Sequence, residues 1–176
     1  KLLWPFYCKV NNTDTSYSGR FLVSADDGVT WGTETPIVTY TSGSVQCSEP
    51  NLIQLANGTL MCLFRDTGTA LEAKKMTSTD GGLTWSGATS AFVATGSPHV
   101  IQLASGRLVC ATRNGDVAGS RTSAFASSDN GATWSTHWLD SDNQNAMDYA
   151  TPLEVEPGRV LILYCTSQPV TGGNTL

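Results

Sequence analysis

Ser24-Ala25-Asp26-Asp27-Gly28-Val29-Thr30-Trp31, Ser78-Thr79-Asp80-Gly81-Gly82-Leu83-Thr84-Trp85 and Ser127-Ser128-Asp129-Asn130-Gly131-Ala132-Thr133-Trp134 are three copies of one phrase, S-x-D-x-G-x-T-W. Five fixed positions recurring three times make this chain a repeat protein, and a repeat governs every later reading. Steps of 54 and 49 residues separate Asp26, Asp80 and Asp129. That period is too long for helical or leucine-rich solenoids and suits one four-stranded blade of a β-propeller. The phrase itself reads as a hairpin. Asp offers an acceptor to backbone N–H groups, and Gly takes a positive φ at no steric cost. Thr and Trp then start a strand, where β-branched and aromatic side chains fit. The Trp ring is expected to plug the blade.

Each full repeat also opens alike. Glu49-Pro50 leads through Asn57-Gly58 to Phe64-Arg65, Ser97-Pro98 through Ser105-Gly106 to Thr112-Arg113, and Thr151-Pro152 through Pro157-Gly158 to Tyr164. Two strands joined by a tight turn fit each phrase, Asn-Gly being the strongest hairpin signal among them. The third strand ends in the S-x-D-x-G-x-T-W phrase and the fourth follows its Trp. Counting gives a three-strand remnant, two full blades and a two-strand remnant, with repeats at roughly 1–45, 46–95, 96–145 and 146–176. Ala70–Met76 has helical propensity but lies where a third strand must run, so a strand is expected there. The fold class is all-β.

The 176 residues carry a formal charge of −5 without a basic run, which argues against a nucleic-acid partner. No apolar stretch approaches the length of a membrane span. No Cys or His cluster has zinc spacing, so no metal and no cofactor is implied. Asp140-Ser141-Asp142-Asn143 lacks the Gly and the distal Glu of a calcium loop and reads as a solvated acidic loop. Cys8, Cys62, Cys110 and Cys165 end similar apolar runs and read as small buried residues at one place in successive blades. Such places lie about 10 Å apart, too far for a disulfide. Cys47 stands apart, near Glu49. The chain opens on Lys1 and a strand, and both ends read as cut from something longer.

The phrase is the Asp-box, or bacterial neuraminidase repeat, and the chain resembles the sialidase superfamily of propellers. The resemblance implies six blades, of which this chain covers about the C-terminal half. It also implies that Asp26, Gly28, Trp31, Asp80, Gly82, Trp85, Asp129, Gly131 and Trp134 are folding elements on the rim, away from any active site. Glu49 and Arg65, sixteen residues apart, sit in a segment similar to the one holding the family's catalytic Glu and second triad arginine. Arg121, in Gly-Ser-Arg-Thr-Ser, resembles the third. Arg113 is its rival, standing where Arg65 stands one repeat earlier. Tyr149, in Asp-Tyr-Ala-Thr-Pro-Leu, resembles the nucleophile, and Asp148 beside it reads as structural.

These roles are chemically coherent. Guanidinium groups bind the carboxylate of a sialic acid with paired, charge-assisted hydrogen bonds. That carboxylate would repel an anionic nucleophile, and sialidases are the Tyr exception among glycosidases. A phenol with a pKa near 10 needs a base as it attacks, the role implied for Glu49. The expected partner is a sialylated glycan. No residue matches the family's first arginine or its acid/base aspartate: Arg20 lies in the outer part of a blade and Asp14 in a polar loop. The missing N-terminal half of the propeller, or a partner chain, would supply both, and this stretch alone is expected to be inactive. A secreted, periplasmic or cell-surface location suits such a substrate. An arabinan-type glycosidase with paired carboxylates, or a non-catalytic glycan-binding propeller, would share the fold. Two histidines, His99 and His137, make a His-based nucleophile relay unexpected. Asn57-Gly-Thr59 and Asn11-Asn-Thr13 match glycosylation sequons, a pattern frequent by chance.

Overall fold

The computed structural model describes residues 1–9, 15–39, 41, 44–68, 72–114, 121–139 and 149–165, apart from the side chains of 138 and 139. Asp14, the acidic loop at 140–143, Asp148 and the sequon at 11–13 lie outside these residues.

Thirteen strands form among the described residues, the number counted from the repeat phrases. β1 (Leu2–Cys8), β2 (Ser18–Ser24) and β3 (Thr35–Val38) make a first sheet in chain order. β4 (Cys47–Gln54), β5 (Leu60–Asp66), β6 (Glu72–Ser78) and β7 (Thr89–Val93) make a second. β8 (His99–Gln102), β9 (Leu108–Asn114), β10 (Arg121–Ser127) and β11 (Ser135–Leu139) make a third. β12 (Thr151–Glu156) and β13 (Arg159–Leu163) make the fourth. All pairings are antiparallel. The arrangement is consistent with part of a β-propeller. The helix-prone run from Ala70 forms β6 from Glu72 onward, because its Ala73 and Met76 are needed in the core.

The three repeats fold alike. Ser78 Oγ donates to Asp80 Oδ1 (2.7 Å) and accepts from Gly82 N (2.8 Å). Asp80 Oδ1 accepts from Thr84 N (2.9 Å), and Oδ2 accepts from the Thr84 hydroxyl. The Ser24 and Ser127 copies repeat every bond. The variable position after the Asp is constrained as well. Asp27, Gly81 and Asn130 all have positive φ, a region that Gly, Asn and Asp tolerate better than other residues.

The hydroxyl of Thr84, then its N–H and Ser78, hold the Asp80 carboxyl down at about 2, and the matching bonds hold Asp26 at about 2. The Thr133 bonds depress Asp129 too. Because the folded pKa is depressed, the stabilisation is present above the unfolded value near 4 and is lost as pH falls toward about 2. The unfolding midpoint should therefore drop between about pH 4 and pH 2, and Asp80→Asn should flatten that acid limb, read by denaturant titration at each pH.

The second and third turns also tie neighbouring sheets. The Gly131 carbonyl accepts from Lys75 Nζ of the second sheet (2.6 Å), and Gly82 abuts the Phe21 ring of the first. At the hairpins, Gln102 Oε1 accepts from Ala56 N (2.7 Å) and Glu154 Oε2 from Ala104 N (2.8 Å), clasping the second sheet to the third and the third to the fourth. Phe21, Cys62, Phe64 and Met76 anchor a core between the first two sheets. Met61, Leu63, Cys110 and Phe125 anchor another between the second and third.

The tryptophans divide. Trp134 packs edge-on against Phe92 of the second sheet and Trp85 against Phe21 of the first, each reaching the preceding sheet, while Trp31 packs against Trp4 of its own sheet at the open end. Leu2 and Trp4 are exposed at that end, and Leu153, Val155, Leu161 and Leu163 at the other.

The cysteine equivalence needs correction. Cys62 and Cys110 do share one register position, opposite Leu52 and Val100, and both are buried. Cys8 pairs with Ser18 and is the counterpart of Asp66, while Cys165 lies exposed beyond β13. Similar letters stood at different registers. Cys47 is buried, and desolvation pushes its thiol pKa up.

Candidate functional site

β4 begins irregularly. Its register to β5 slips between Ser48 and Asn51, and the bulge contains Glu49-Pro50. Pro50 has no N–H for the ladder and disfavours right-handed helical backbone at Glu49. Glu49 takes φ +52, a left-handed conformation that bulky residues rarely adopt. Such strain persists only where the surroundings enforce it, and it is found at functional positions.

The bulge aims Glu49 at Arg65, near the end of β5. Nη1 of Arg65 lies 3.6 Å from Glu49 Oε2, an ion pair too long for a hydrogen bond. The Glu49 side chain is 14% exposed, and Oε2 is buried with no hydrogen-bond partner among the described residues. A buried carboxylate oxygen with a free lone pair is placed to meet a hydrogen-bond donor on a ligand. Asp66, next in sequence, is buried and structural: its Oδ1 accepts from Gln46 N (3.1 Å) and Gly68 N (2.9 Å). Glu49→Gly should relieve the backbone strain and stabilise the fold by about 1 kcal/mol, read by denaturant unfolding. A net loss of stability would mean that the Arg65 pair outweighs the strain.

Tyr7 belongs to the same place. Leu2 lies opposite Ser24 as Leu60 lies opposite Ser78, so Tyr7 in the first sheet is the register counterpart of Arg65. Burial, then the charges of Glu49, Tyr149 and Tyr17, raise the Tyr7 phenol pKa, and Arg65 opposes them. Tyr7, Glu49, Arg65 and Tyr149 thus share one electrostatic neighbourhood. His99, at the start of β8, adjoins it. Burial lowers its pKa, offset by a bond with the Ala150 backbone and by Glu49. Its Nδ1 lies 2.9 Å from Thr151 Oγ1.

Tyr149 stands just before β12 and is 67% exposed. Among the described residues it makes no hydrogen bond to Glu49. Arg121 opens β10, opposite Asn114, with its Nε buried and without a hydrogen-bond partner among the described residues. It shares no hydrogen bond or ion pair with Glu49, Arg65 or Tyr149. Its rival Arg113 donates from Nη2 to Thr95 O (2.8 Å) and packs against Gly96, which ties it to the loop before β8. Arg20 faces Glu34 at 3.8 Å in β2.

Tyr7, Glu49, Arg65, His99 and Tyr149 all lie at one end of the strands. The Asp-boxes follow the opposite ends of β2, β6 and β10. Seven residues of strand separate the two ends, about 20 Å. Among the described residues no group of three or more His, Cys, Asp or Glu could hold a metal ion. No helix among the described residues is long and apolar enough to cross a membrane.

Sequence reasoning missed Tyr7 and His99. Aligning β1 to β5 from the Asp-box backward would have found Tyr7, but the loop before β2 is longer than the one before β6. In the sequence His99 reads only against a His-based nucleophile relay, and nothing there marks it as a neighbour of the Tyr149 turn.

The BNR repeat-like domain family matches residues 1–171. Comparison with curated proteins gives no match. A protein of unknown function from Dyadobacter fermentans aligns with a TM-score of 0.82 at 21% identity, over 96% of this chain and 46% of its own. The Hadza microbial sialidase Hz136 aligns at 0.67 and 19%, over 91% of this chain and 38% of its own. The α-L-arabinofuranosidase Arb93A from Fusarium graminearum aligns at 0.54 and 17%, over 74% and 42%. This chain spans less than half the length of each.

Proposed function

The chain belongs to the BNR repeat-like domain family of the sialidase superfamily, and from that we propose that it is about half of a six-bladed propeller whose complete form is a retaining exo-α-sialidase. The observation that carries the reading is the Glu49–Arg65 pair, a strained, buried carboxylate beside an exposed-edge guanidinium with two phenols in its field.

Arg65 binds the carboxylate on the anomeric carbon, and Arg121 closes on it from the third sheet. Tyr149 Oη attacks that carbon as its proton passes to Glu49. The glycosidic oxygen leaves with a proton from an acid outside this chain. Water, losing a proton to the acid that was deprotonated in the first step, then cleaves the tyrosyl–sugar bond, with Glu49 returning its proton to the phenolate, and the anomeric configuration is retained. The first arginine and the acid belong to preceding blades or to a partner chain. The apolar faces at Leu2–Trp4 and at Leu153–Leu163 are where such neighbours would pack.

Binding of a dehydrated sialic acid analogue to the complete protein tests this. Saturable binding that drops by at least about a hundredfold in Arg65→Ala, as loss of a buried charged pair implies, supports it. Binding of an arabinoside-like iminosugar instead would move the protein to the other glycosidase class, and binding unaffected by Arg65→Ala would defeat the arginine assignment.

A further inference from the structure

We infer that His99 is the positioning residue for Tyr149, an imidazole latch that fixes the turn Tyr149–Ala150–Thr151 to the first strand of the third sheet, facing Glu49. The inference rests on the nucleophile reading for its catalytic meaning, but the latch itself is a matter of geometry.

Tyr149 has an exposed ring, so the backbone that carries it must set its direction. That backbone is held at three consecutive residues. Thr151 Oγ1 donates to the Tyr149 carbonyl at 3.2 Å. With its single proton on the Tyr149 carbonyl, the Thr151 oxygen would accept from His99, and the latch then requires Nδ1 to carry the hydrogen of the 2.9 Å bond. The Ala150 backbone bonds the same ring, and Ala150 is fully buried. His99 is itself anchored, since Pro98 before it is fully buried and Val100 N donates to Asn51 Oδ1 (2.9 Å) of β4. That last bond matters, because β4 also carries Glu49. One short path, Glu49–β4–Asn51–β8–His99–Thr151–Tyr149, therefore joins the proposed base to the proposed nucleophile across three sheets. A positioning group of this kind acts on the alignment of reacting atoms and so on turnover more than on ground-state binding.

The test compares His99→Asn, His99→Ala and Thr151→Val in the complete protein. The Asn amide nitrogen can occupy the place of Nδ1–H. His99→Asn should keep kcat on an aryl sialoside within about threefold, while His99→Ala and Thr151→Val lose about thirtyfold or more with KM within about twofold. Wild-type turnover in His99→Ala, or equal losses in the Asn and Ala variants with a raised KM, would overturn the latch. Nitrogen resonances of ¹⁵N-labelled histidine give a second readout that needs no activity. His99 should show the Nδ1–H tautomer, and Thr151→Val should change its resonances. An Nε2–H ring, or one indifferent to Thr151→Val, would sink the latch. A correct tautomer in a protein that turns over no sialoside would instead spare the latch and remove the sialidase reading.

Discussion

Tyr149→Phe in the complete protein should lower kcat for an aryl sialoside by at least about a thousandfold while leaving binding of the dehydrated analogue within about threefold. The split follows from what one oxygen does. If Tyr149 is the nucleophile as proposed, no covalent intermediate forms without the hydroxyl, and several kcal/mol of barrier return, each 1.36 kcal/mol worth a factor of ten. Ring and backbone remain, so ground-state contacts persist. Tyr7→Phe is the necessary control. Tyr7 is the phenol that Glu49 and Tyr149 both influence, and it stands where the next sheet has Arg65. If Tyr7→Phe abolished turnover and Tyr149→Phe did not, the nucleophile would be Tyr7.

The second large effect concerns stability. Gly82→Ala should destabilise the fold by about 3 kcal/mol, the sum of positive-φ strain and overpacking. Its φ is +93, and an added Cβ would come within 2.5 Å of Phe21 Cζ. Phe21 cannot yield, because it is buried between two sheets with Trp85 edge-on at 6.2 Å. Gly58→Ala separates the two causes. Its φ is +87 but nothing lies within 4 Å, so only the backbone cost of about 1 kcal/mol applies. Denaturant midpoints at constant slope would measure both, and equal losses would refute the packing half of the account.

The repeat was legible because its chemistry is local. Ser78, Asp80, Gly82 and Thr84 satisfy one another within seven residues, so the letters alone imply the turn. Strand order followed from the same spacing. Register did not, because the loops between the second and third strands differ in length. The letters alone therefore align Cys8 with Cys62, although its counterpart is Asp66, and give no sign of Tyr7. Within the site, Glu49 and Arg65 were readable from their segment, and the structure pairs them. The left-handed backbone of Glu49 was not readable, since Pro50 only excludes one conformation without selecting another. His99 escaped for a related reason: its partners Ala150 and Thr151 are about fifty residues away, and a sequence shows no distance between sheets.

The two core clusters have a consequence for how the molecule breathes. The second sheet contributes to both clusters, and the fourth contributes to neither. In a stacked array, opening free energy falls toward poorly packed ends. Amide hydrogen exchange should accordingly be slowest across Met61–Phe64 and fastest in β12 and β13, and uniform rates would contradict the gradient. The turn bearing Tyr149 leads directly into that last sheet. Whatever ligand spans Glu49 and Tyr149 must first find the fourth sheet closed, and by mass action its binding would hold that sheet shut. Occupancy of the cleft and completion of the fold at this end would then be one thermodynamic event.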